Sequence, residues 1–223
     1  MIFVIRGHIR NSFETKCLYN FIKNICDSYP DVKIFIHTWS KFANNISWRK
    51  INENNTEVTR EIIYNYFDDL KTHIEDIIID DDTKIELIGN IHGNINNGLM
   101  PIIGWKNYWY GKYKIIEHMY NKNINADKMI VNIRFDILNN SNSLSETDLI
   151  HFIKQNSEVK FTKNMFIYNE EKYGIDNIYV GNIATMYKLI HHFFYELDNI
   201  LHMNPNAFHQ EFLVYKINNI LFT

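Results

Sequence analysis

The amino-acid sequence predicts an α/β fold in which a mainly parallel central sheet carries helices on both faces. Short apolar runs alternate with amphipathic stretches of helical length through the first two-thirds of the chain, an order typical of strands joined by right-handed helical crossovers. The strand-like runs are apolar almost throughout, as expected where helices cover both faces of a sheet. No internal repeat or low-complexity linker interrupts the 223 residues, so we expect one domain over residues 1–223.

The first half of the chain contains three predicted strands and two predicted helices. Asn11 and Glu14 form a capping-box pattern at the start of the first helix, and Tyr29-Pro30 ends it. Residues 41–55 are polar, and we expect them to be irregular. In chain order the strands are residues 2–5, 32–38 and 74–79, and the helices are residues 11–28 and 57–72.

The second half begins with a glycine-punctuated loop and continues the alternation. Aromatic and aliphatic residues recur at helical spacing over residues 105–120, and a strand is expected at residues 129–133. Ser145 has the position of a helix cap, and residues 183–201 form the clearest amphipathic helix. Short strands are expected near residues 159–161, 165–168 and 178–180, and a last helix after Pro205.

Charge and cysteine usage restrict the class of protein. The net charge is -3 with both signs interspersed, which argues against nucleic-acid binding. Cys17 and Cys26 lie on one predicted helix about 13 Å apart, too far for a disulfide. We therefore expect reduced core cysteines and a cytoplasmic protein. Arg6 cuts the first apolar run short, so that run is predicted to be a strand rather than a signal peptide, and no apolar stretch approaches membrane-spanning length.

The expected place for chemistry is the edge of the sheet at which the parallel strands end, because ligands of open α/β sheets bind beyond the carboxyl ends of the strands. Four segments follow predicted strands directly, and charged residues dominate at least three of them. They are residues 6–10, 37–41, 80–82 and 134–136. Together they offer cations and carboxylates that are suited to an anionic ligand.

The triplet Arg134-Phe135-Asp136 is the most informative of these segments. Side chains alternate along a strand, so Arg134 and Asp136 point to the same side. A carboxylate there can bind a divalent cation, which in turn binds a diphosphate, and an arginine can grip phosphate directly. A structural ion pair between Arg134 and Asp136 is the equally weighted alternative.

Residues 105–136, in which an aromatic-rich predicted helix leads to the strand before this triplet, resemble a family of small bacterial and viral glycosyltransferases. Those enzymes act in capsular, lipopolysaccharide and related surface-glycan synthesis, and an Arg-x-Asp triplet stands where other GT-A enzymes have Asp-x-Asp. Further segments match in the same order over most of the chain: Ile5-Arg6-Gly7-His8-Ile9-Arg10, Phe35-Ile36-His37-Thr38-Trp39, Asp176-Asn177-Ile178-Tyr179-Val180-Gly181 with Met186, and Glu211.

The resemblance implies a Rossmann-like GT-A fold, a nucleotide-diphosphate sugar donor and a glycan or lipid-linked glycan acceptor. By position, the residues expected to face the donor are Arg6, Gly7, Arg10, Arg134 and Asp136. Asp136 would also be the ligand of a Mn²⁺ or Mg²⁺ ion, although a single carboxylate makes a weaker metal motif than Asp-x-Asp. A lipid-linked acceptor would bring the protein to the membrane surface as a peripheral protein.

The resemblance also supplies candidates for catalysis and for sugar contacts. Asp176 or Glu211 would take the proton of the acceptor hydroxyl in an inverting transfer. The alternative for Asp176 is a turn-forming aspartate before a strand, and the alternative for Glu211 is a solvated residue on a helix. Trp39 and Trp105 would stack against a base or a sugar ring, or else belong to the core.

Two other classes of protein compete with the transferase. A glycan- or nucleotide-sugar-binding module would keep the fold without turnover. A metal-dependent hydrolase is suggested by the ten histidines, but none of them forms a tight zinc-binding pattern. Asp80-Asp81-Asp82 is expected to be a solvated turn. The phosphate-binding P-loop, the dinucleotide fingerprint and the nucleophile elbow are all missing from the sequence.

Overall fold

The computed structural model describes residues 1–46, 51–95, 98–139, 144–168, 174–206 and 210–223, with the side chains at 210 and 211 outside the described part. The strands are β1 (Ile2–Arg6), β2 (Lys33–Trp39), β3 (Lys41–Ala43), β4 (Asn54–Glu57), β5 (Ile74–Asp80), β6 (Ile130–Arg134), β7 (Met165–Tyr168) and β8 (Gly174–Gly181). The α-helices are α1 (Cys17–Ser28), α2 (Arg60–Phe67), α3 (Ile102–Asn121), α4 (Glu146–Asn156), α5 (Ile183–Met203) and α6 (Gln210–Leu221).

The central sheet has six strands in the order β5-β2-β1-β6-β8-β7. The four strands from β5 to β6 are parallel, while β8 pairs antiparallel with β6 and with β7. This confirms the expected α/β fold with a mainly parallel sheet. The chain progresses from β1 to β2 and β5 on one side and then places β6 on the other side of β1. The point at which the order reverses is where such sheets bind ligands.

Apolar side chains leave β1 alternately towards the two faces of the sheet, and each set belongs to its own cluster. Phe3 and Ile5 lie in a cluster with residues of α1, α2 and α4. Ile2 and Val4 lie in a second cluster with residues of α3, α5 and α6. Helices therefore cover both faces, as the apolar strand pattern predicts.

Two predicted helices are shorter than expected. Asn11 makes no side-chain capping bond; Ser12–Glu14 form a single 3-10 turn, and α1 begins only at Cys17. The helix expected over residues 57–72 is α2, which Thr59 caps by accepting a bond from the Ile62 amide, followed by a 3-10 segment. A backbone φ of 48° at Asp68 breaks the α-helical path there.

Other local expectations divide between confirmed and wrong. Ser145 forms the capping box of α4, and α5 has nearly the predicted bounds. The polar stretch after β2 is not wholly irregular, because β3 and β4 pair antiparallel as a small second sheet. No strand forms at residues 159–161, which the structure describes.

The cysteine prediction is half right. Cys17 and Cys26 are both free, but only Cys26 is buried, because Cys17 stands at the exposed first position of α1. Within the part of the chain that the structure describes, no helix is long and apolar enough to cross a membrane.

Candidate functional site

The candidate site lies at the carboxyl ends of β1 and β6, which are neighbours in the sheet. Arg6 of β1 is in register with Arg134 of β6 and with His37 of β2. The order of the sheet reverses between these strands. We call the space beyond these strand ends the crevice.

Asp136 holds two arginines at the crevice. Its carboxylate accepts bonds from Arg134 Nε at 2.8 Å and Nη2 at 2.7 Å, and from Arg10 Nη1 at 2.7 Å. The side chains of Arg10 and Arg134 keep 22% and 21% of their surface exposed, against 4% for Asp136. Burial opposes ionisation of Asp136, but the charges of Arg134 and Arg10 outweigh it, so the pKa of this carboxyl is below its usual value. We call Arg10 and Arg134 the arginine pair.

The backbone at the end of β1 adopts unusual conformations beside the arginine pair. Gly7 has a φ of 95°, and a Cβ added to it would meet no atom within 4 Å. Arg10 has a φ of 55°, which is uncommon for a non-glycine residue, and its amide donates to the Phe42 carbonyl at 2.8 Å. Left-handed backbone of this kind is concentrated at functional sites. Gly7 leaves open space over the backbone, so a ligand can approach it closely.

A second polar group continues the crevice over β2 and β5. The buried His37 ring pairs through Nε2 with Asp80 Oδ2 at 3.2 Å. His8 stacks on Trp39 with ring centroids 5.8 Å apart, and its Nε2 lies 3.8 Å from Asp82 Oδ2. Burial, followed by the charges of Arg10 and His37, lowers the pKa of His8 to about 3, so this imidazole is neutral near pH 7.

A third polar group lies deeper, on the face of the sheet that α3 covers. Arg6 is 1% exposed; its Nε donates to Asn132 Oδ1 at 2.8 Å, and its Nη2 donates to Tyr108 Oη at 3.0 Å and to the Asp176 carbonyl at 3.1 Å. Tyr108 Oη in turn donates to Asp176 Oδ2 at 2.9 Å. Tyr108 thus links the floor of the crevice to the first half of strand β8.

The structure brings together most of the residues that the sequence predicts for the site. The arginine pair and Asp136 form one group, Gly7 borders it, and Arg134 Nη1 donates to Asn177 Oδ1 at 3.0 Å, next to Asp176 in β8. Arg6 is nearby but buried, so its guanidinium faces the protein rather than the open crevice.

Three predicted residues stand apart from this group. Trp105 has no exposed surface and packs against Trp109 and Phe193, as in the core alternative that the sequence left open, so its contact with a sugar stays a prediction. Trp39 is 3% exposed and stacks on His8, so its contact with a ligand stays a prediction. Glu211 falls within α6, but its side chain lies outside the described residues.

The expected turn at residues 80–82 is wrong in part. Asp80 is the last residue of β5 and bonds to His37, and Asp82 accepts a bond from Asn44 Nδ2. Only Asp81 caps a local turn, bonding to Thr83 and Lys84. Asp82 lies in the turn after β5, and its side chain is 8% exposed, against 23% for Asp80.

Sequence reasoning missed several site residues. The strand-end rule selects the segments that contain His8, His37, Asp80 and Asp82. It does not predict which of these side chains pair with each other. Tyr108 lies on α3, where one face of the helix reaches the crevice, and a helical pattern alone does not show which face that is.

The donor set around Asp136 does not fit a divalent cation. Both carboxylate oxygens already accept bonds from guanidinium groups, which would repel a metal ion. Mg²⁺ and Mn²⁺ need several oxygen ligands, and the described residues contain no group of three His, Cys, Asp or Glu that could hold one. The ion expected from the sequence therefore stays a prediction.

Neither a protein-family model nor a curated protein sequence matches the chain. Among solved structures, the chain is similar to the galactosyltransferase LgtC in complex with donor and acceptor sugar analogues, with a TM-score of 0.48 and 10% identity over 99% of this chain and 70% of that one. It is also similar to an active-site mutant of LgtC in which a glutamine is replaced by glutamate, with a TM-score of 0.43, 10% identity and the same coverage. These are likenesses in the path of the chain.

Proposed function

We propose that this chain is a glycosyltransferase that moves a sugar from a nucleotide-diphosphate sugar to a hydroxyl of a glycan or lipid-linked glycan. The observation that carries the proposal is the arginine pair, which Asp136 holds partly exposed at the point where the strand order reverses. Guanidinium groups match phosphate oxygens in geometry and charge, so this edge of the sheet suits the diphosphate of a donor.

The arginine pair acts on the leaving group. During transfer the bond between the anomeric carbon and the diphosphate oxygen breaks, and the diphosphate leaves with the electron pair. The guanidinium groups stabilise the charge that develops there, the task that positively charged groups perform in phosphoryl and glycosyl leaving-group chemistry. A guanidinium has five N–H groups on three nitrogens, and each nitrogen of Arg134 donates one hydrogen bond within the protein. Two N–H groups of Arg134 therefore remain for a phosphate.

Asp136 is, in this proposal, the residue that positions the arginine pair. Its bidentate bond with Arg134 and its bond with Arg10 fix both guanidinium planes before a ligand arrives. Preorganised charge of this kind needs little rearrangement when the transition state forms. This assignment keeps Asp136 at the donor site, where the sequence predicts it.

The acceptor hydroxyl must lose its proton in an inverting transfer, and we propose Asp176 as the base, with Glu211 as the second candidate. Asp176 Oδ2 already accepts a hydrogen bond from Tyr108 Oη at 2.9 Å, which orients the carboxylate. The new bond joins the acceptor oxygen to the anomeric carbon, and the proton moves to the carboxylate.

The wider setting follows from the same proposal. Residues 1–223 would act as one catalytic domain in the cytoplasm, in the synthesis of a surface polysaccharide. An acceptor on a lipid carrier would bring the protein to the membrane surface. A Mn²⁺ or Mg²⁺ ion would bind at the donor site only if the diphosphate itself supplied oxygen ligands.

Thermal-shift screening against UDP-, GDP-, CMP- and dTDP-sugars, with and without manganese, tests the proposal. One donor should raise Tm in the wild type, because a ligand that binds only the folded state stabilises it. Arg134→Lys should weaken that donor about tenfold, since a lysine keeps the charge but loses the paired N–H geometry. Arg60→Lys is the matched control, because Arg60 lies on α2 with a half-exposed side chain.

Three results would contradict the proposal in different ways. No response to any donor but stabilisation by a free glycan would favour the binding module. Stabilisation by zinc alone would favour the hydrolase. Equal donor affinity in wild type and Arg134→Lys would show that the donor binds elsewhere.

A further inference from the structure

Four buried polar side chains lie together beneath the crevice, between α3 and the sheet. They are Arg6, Lys112, Asn132 and Tyr179, and we call them the buried polar cluster. Lys112, Asn132 and Tyr179 have no exposed surface, and Arg6 has 1%. A lysine without any exposed surface is rare unless it is paired.

Strand register and measured contacts bring the four side chains together. Asn132 is in register with Val4 of β1 and with Tyr179 of β8, so it occupies the row between them. Arg6 Nε bonds to Asn132 Oδ1 at 2.8 Å. From α3, Lys112 Nζ lies 4.9 Å from the centre of the Tyr179 ring and 4.0 Å from that of Tyr108.

Each member of the buried polar cluster has an atom without a hydrogen-bond partner among the described residues. These atoms are Arg6 Nη1, Lys112 Nζ, Asn132 Nδ2 and Tyr179 Oη. Nδ2 of Asn132 is identified by the bond from Arg6 to Oδ1 of the same amide. All four atoms can donate hydrogen bonds. A buried donor without a partner costs free energy, so four in one place call for a common acceptor.

The charges in this region are also unbalanced. Arg6 is cationic, and Lys112 adds a second cation when it is protonated. Arg134 is already paired with Asp136. The carboxylate of Asp176 offsets one of these charges, because its hydrogen bond from the neutral Tyr108 hydroxyl does not cancel its own. One positive charge therefore remains when Lys112 is protonated, and Lys112 Nζ has no hydrogen-bond partner within the described ranges. A bound anion would offset this positive charge, whereas a water molecule would leave it uncompensated.

We propose that the buried polar cluster binds a small monatomic anion, chloride under ordinary conditions. Its four donors belong to side chains that contact one another or share one row of the sheet. Their burial leaves no route for a sugar or a diphosphate to reach them without rearrangement. Aromatic rings of Tyr108, Trp109 and Tyr179 enclose the Lys112 ammonium and supply no competing carboxylate. The anion stabilises the floor of the crevice, since Arg6 also bonds to Asp176 and Tyr108.

Anion binding is coupled to the protonation of Lys112. Burial, followed by the charge of Arg6, lowers the pKa of Lys112 far below its usual value; Asp176 of β8 acts in the opposite direction and Arg134 of β6 in the same direction as Arg6. A bound anion favours the ammonium form, so binding takes up a proton. Halide affinity should therefore fall as the pH rises.

Bromide replacement tests the site directly. In crystals of the full chain grown with bromide in place of chloride, an anomalous peak should lie between Lys112 and Asn132. In solution, Tm should rise by roughly 5 to 10 °C when the halide reaches about a hundred times its Kd, compared with gluconate at equal ionic strength. Neither measurement depends on a sugar donor, so failure here leaves the proposed transferase activity untouched.

Lys112→Met keeps the volume of the buried chain and removes the ammonium. It should fold, because a buried amine is replaced by an apolar group, and it should lose the halide response and the bromide peak. Lys106→Met is the control: this lysine of the same helix is 6% exposed but is paired with Asp198 at 2.8 Å, so its loss should leave the halide response in place. A wild-type Tm independent of halide, a cluster occupied by water only, or an undiminished response in Lys112→Met would each overturn the proposal.

Discussion

Replacing Asp136 by asparagine tests whether this carboxylate holds the arginine pair. The substitution keeps the shape of the side chain and removes a charge that accepts bonds from Arg134 at 2.8 and 2.7 Å and from Arg10 at 2.7 Å. Without it, two guanidinium groups face each other beside an amide. Removing one member of a buried ion pair costs about 3 to 5 kcal/mol.

The expected loss of stability lies at or below the lower end of that range. About a fifth of each arginine side chain faces solvent, which screens the charges that remain. We therefore expect about 2 to 3 kcal/mol. For a chain of this length that lowers Tm by roughly 4 to 12 °C.

The dependence of this loss on pH provides an internal check. The folded-state pKa of Asp136 lies below its unfolded value of about 3.9, so its stabilising contribution is complete above that value. The contribution disappears as the pH falls through the folded-state pKa. The stability difference between wild type and Asp136→Asn should therefore be constant from pH 5 to 7 and shrink below about pH 4.

Thermal unfolding followed by circular dichroism measures Tm, and urea denaturation at each pH measures the free energy of unfolding. Asp81→Asn is the control, because Asp81 pairs with the exposed Lys84 on the surface and its loss should leave Tm nearly unchanged. A wild-type Tm in Asp136→Asn, or a difference that persists unchanged to pH 3, would refute the idea that Asp136 acts as a charged anchor for the arginine pair.

Two further predictions concern Trp105 and His8. Trp105→Ala should lower the free energy of unfolding by about 3 to 5 kcal/mol, because it opens a cavity between α3 and α5. The donor should still raise the Tm of this variant. Loss of donor binding in a folded variant would indicate that Trp105 contacts the ligand. His8 has a pKa of about 3 in the folded state, so the unfolded chain binds the extra proton first and the wild type loses stability as the pH falls from about 6.5 towards 3. Between pH 7 and 5, His8→Gln should lose about 2 kcal/mol less stability than the wild type in urea denaturation. The exposed His151→Gln is the control and should lose as much as the wild type. Equal pH profiles for wild type and His8→Gln would show that His8 does not titrate in this way.

Strand positions and the sheet edge are predictable because they depend on patterns within single segments. The apolar runs locate β1, β2, β5 and β6, and the order of helices between them implies a parallel sheet. The same rule places Arg10, Arg134 and Asp136 at one edge. It does not say which groups pair, since the reach of Arg10 to Asp136 depends on a backbone φ of 55° that no local pattern encodes.

Helix faces explain what the sequence leaves undetermined. Trp105 and Tyr108 are three residues apart on α3 and look alike as aromatic positions, yet Trp105 packs against α5 and Tyr108 reaches Arg6 and Asp176. The difference arises from how α3 is rotated over the sheet. Lys112 lies one turn beyond Tyr108 on the same side of α3, where it contacts the rings of Tyr108 and Trp109 and has no exposed surface.

In the proposed transferase, the charge of the triplet would decide how a diphosphate binds at this edge. Two carboxylates in the Asp-x-Asp pattern repel a diphosphate and require a cation between them. An arginine in the first position reverses that relation, because the cation is then part of the chain. Arg10 adds a second cation, and Asp136 offsets one of the two positive charges. A donor diphosphate would share the arginine pair with Asp136, so its binding should weaken steeply with salt, as expected for an interaction between charges that are partly open to solvent.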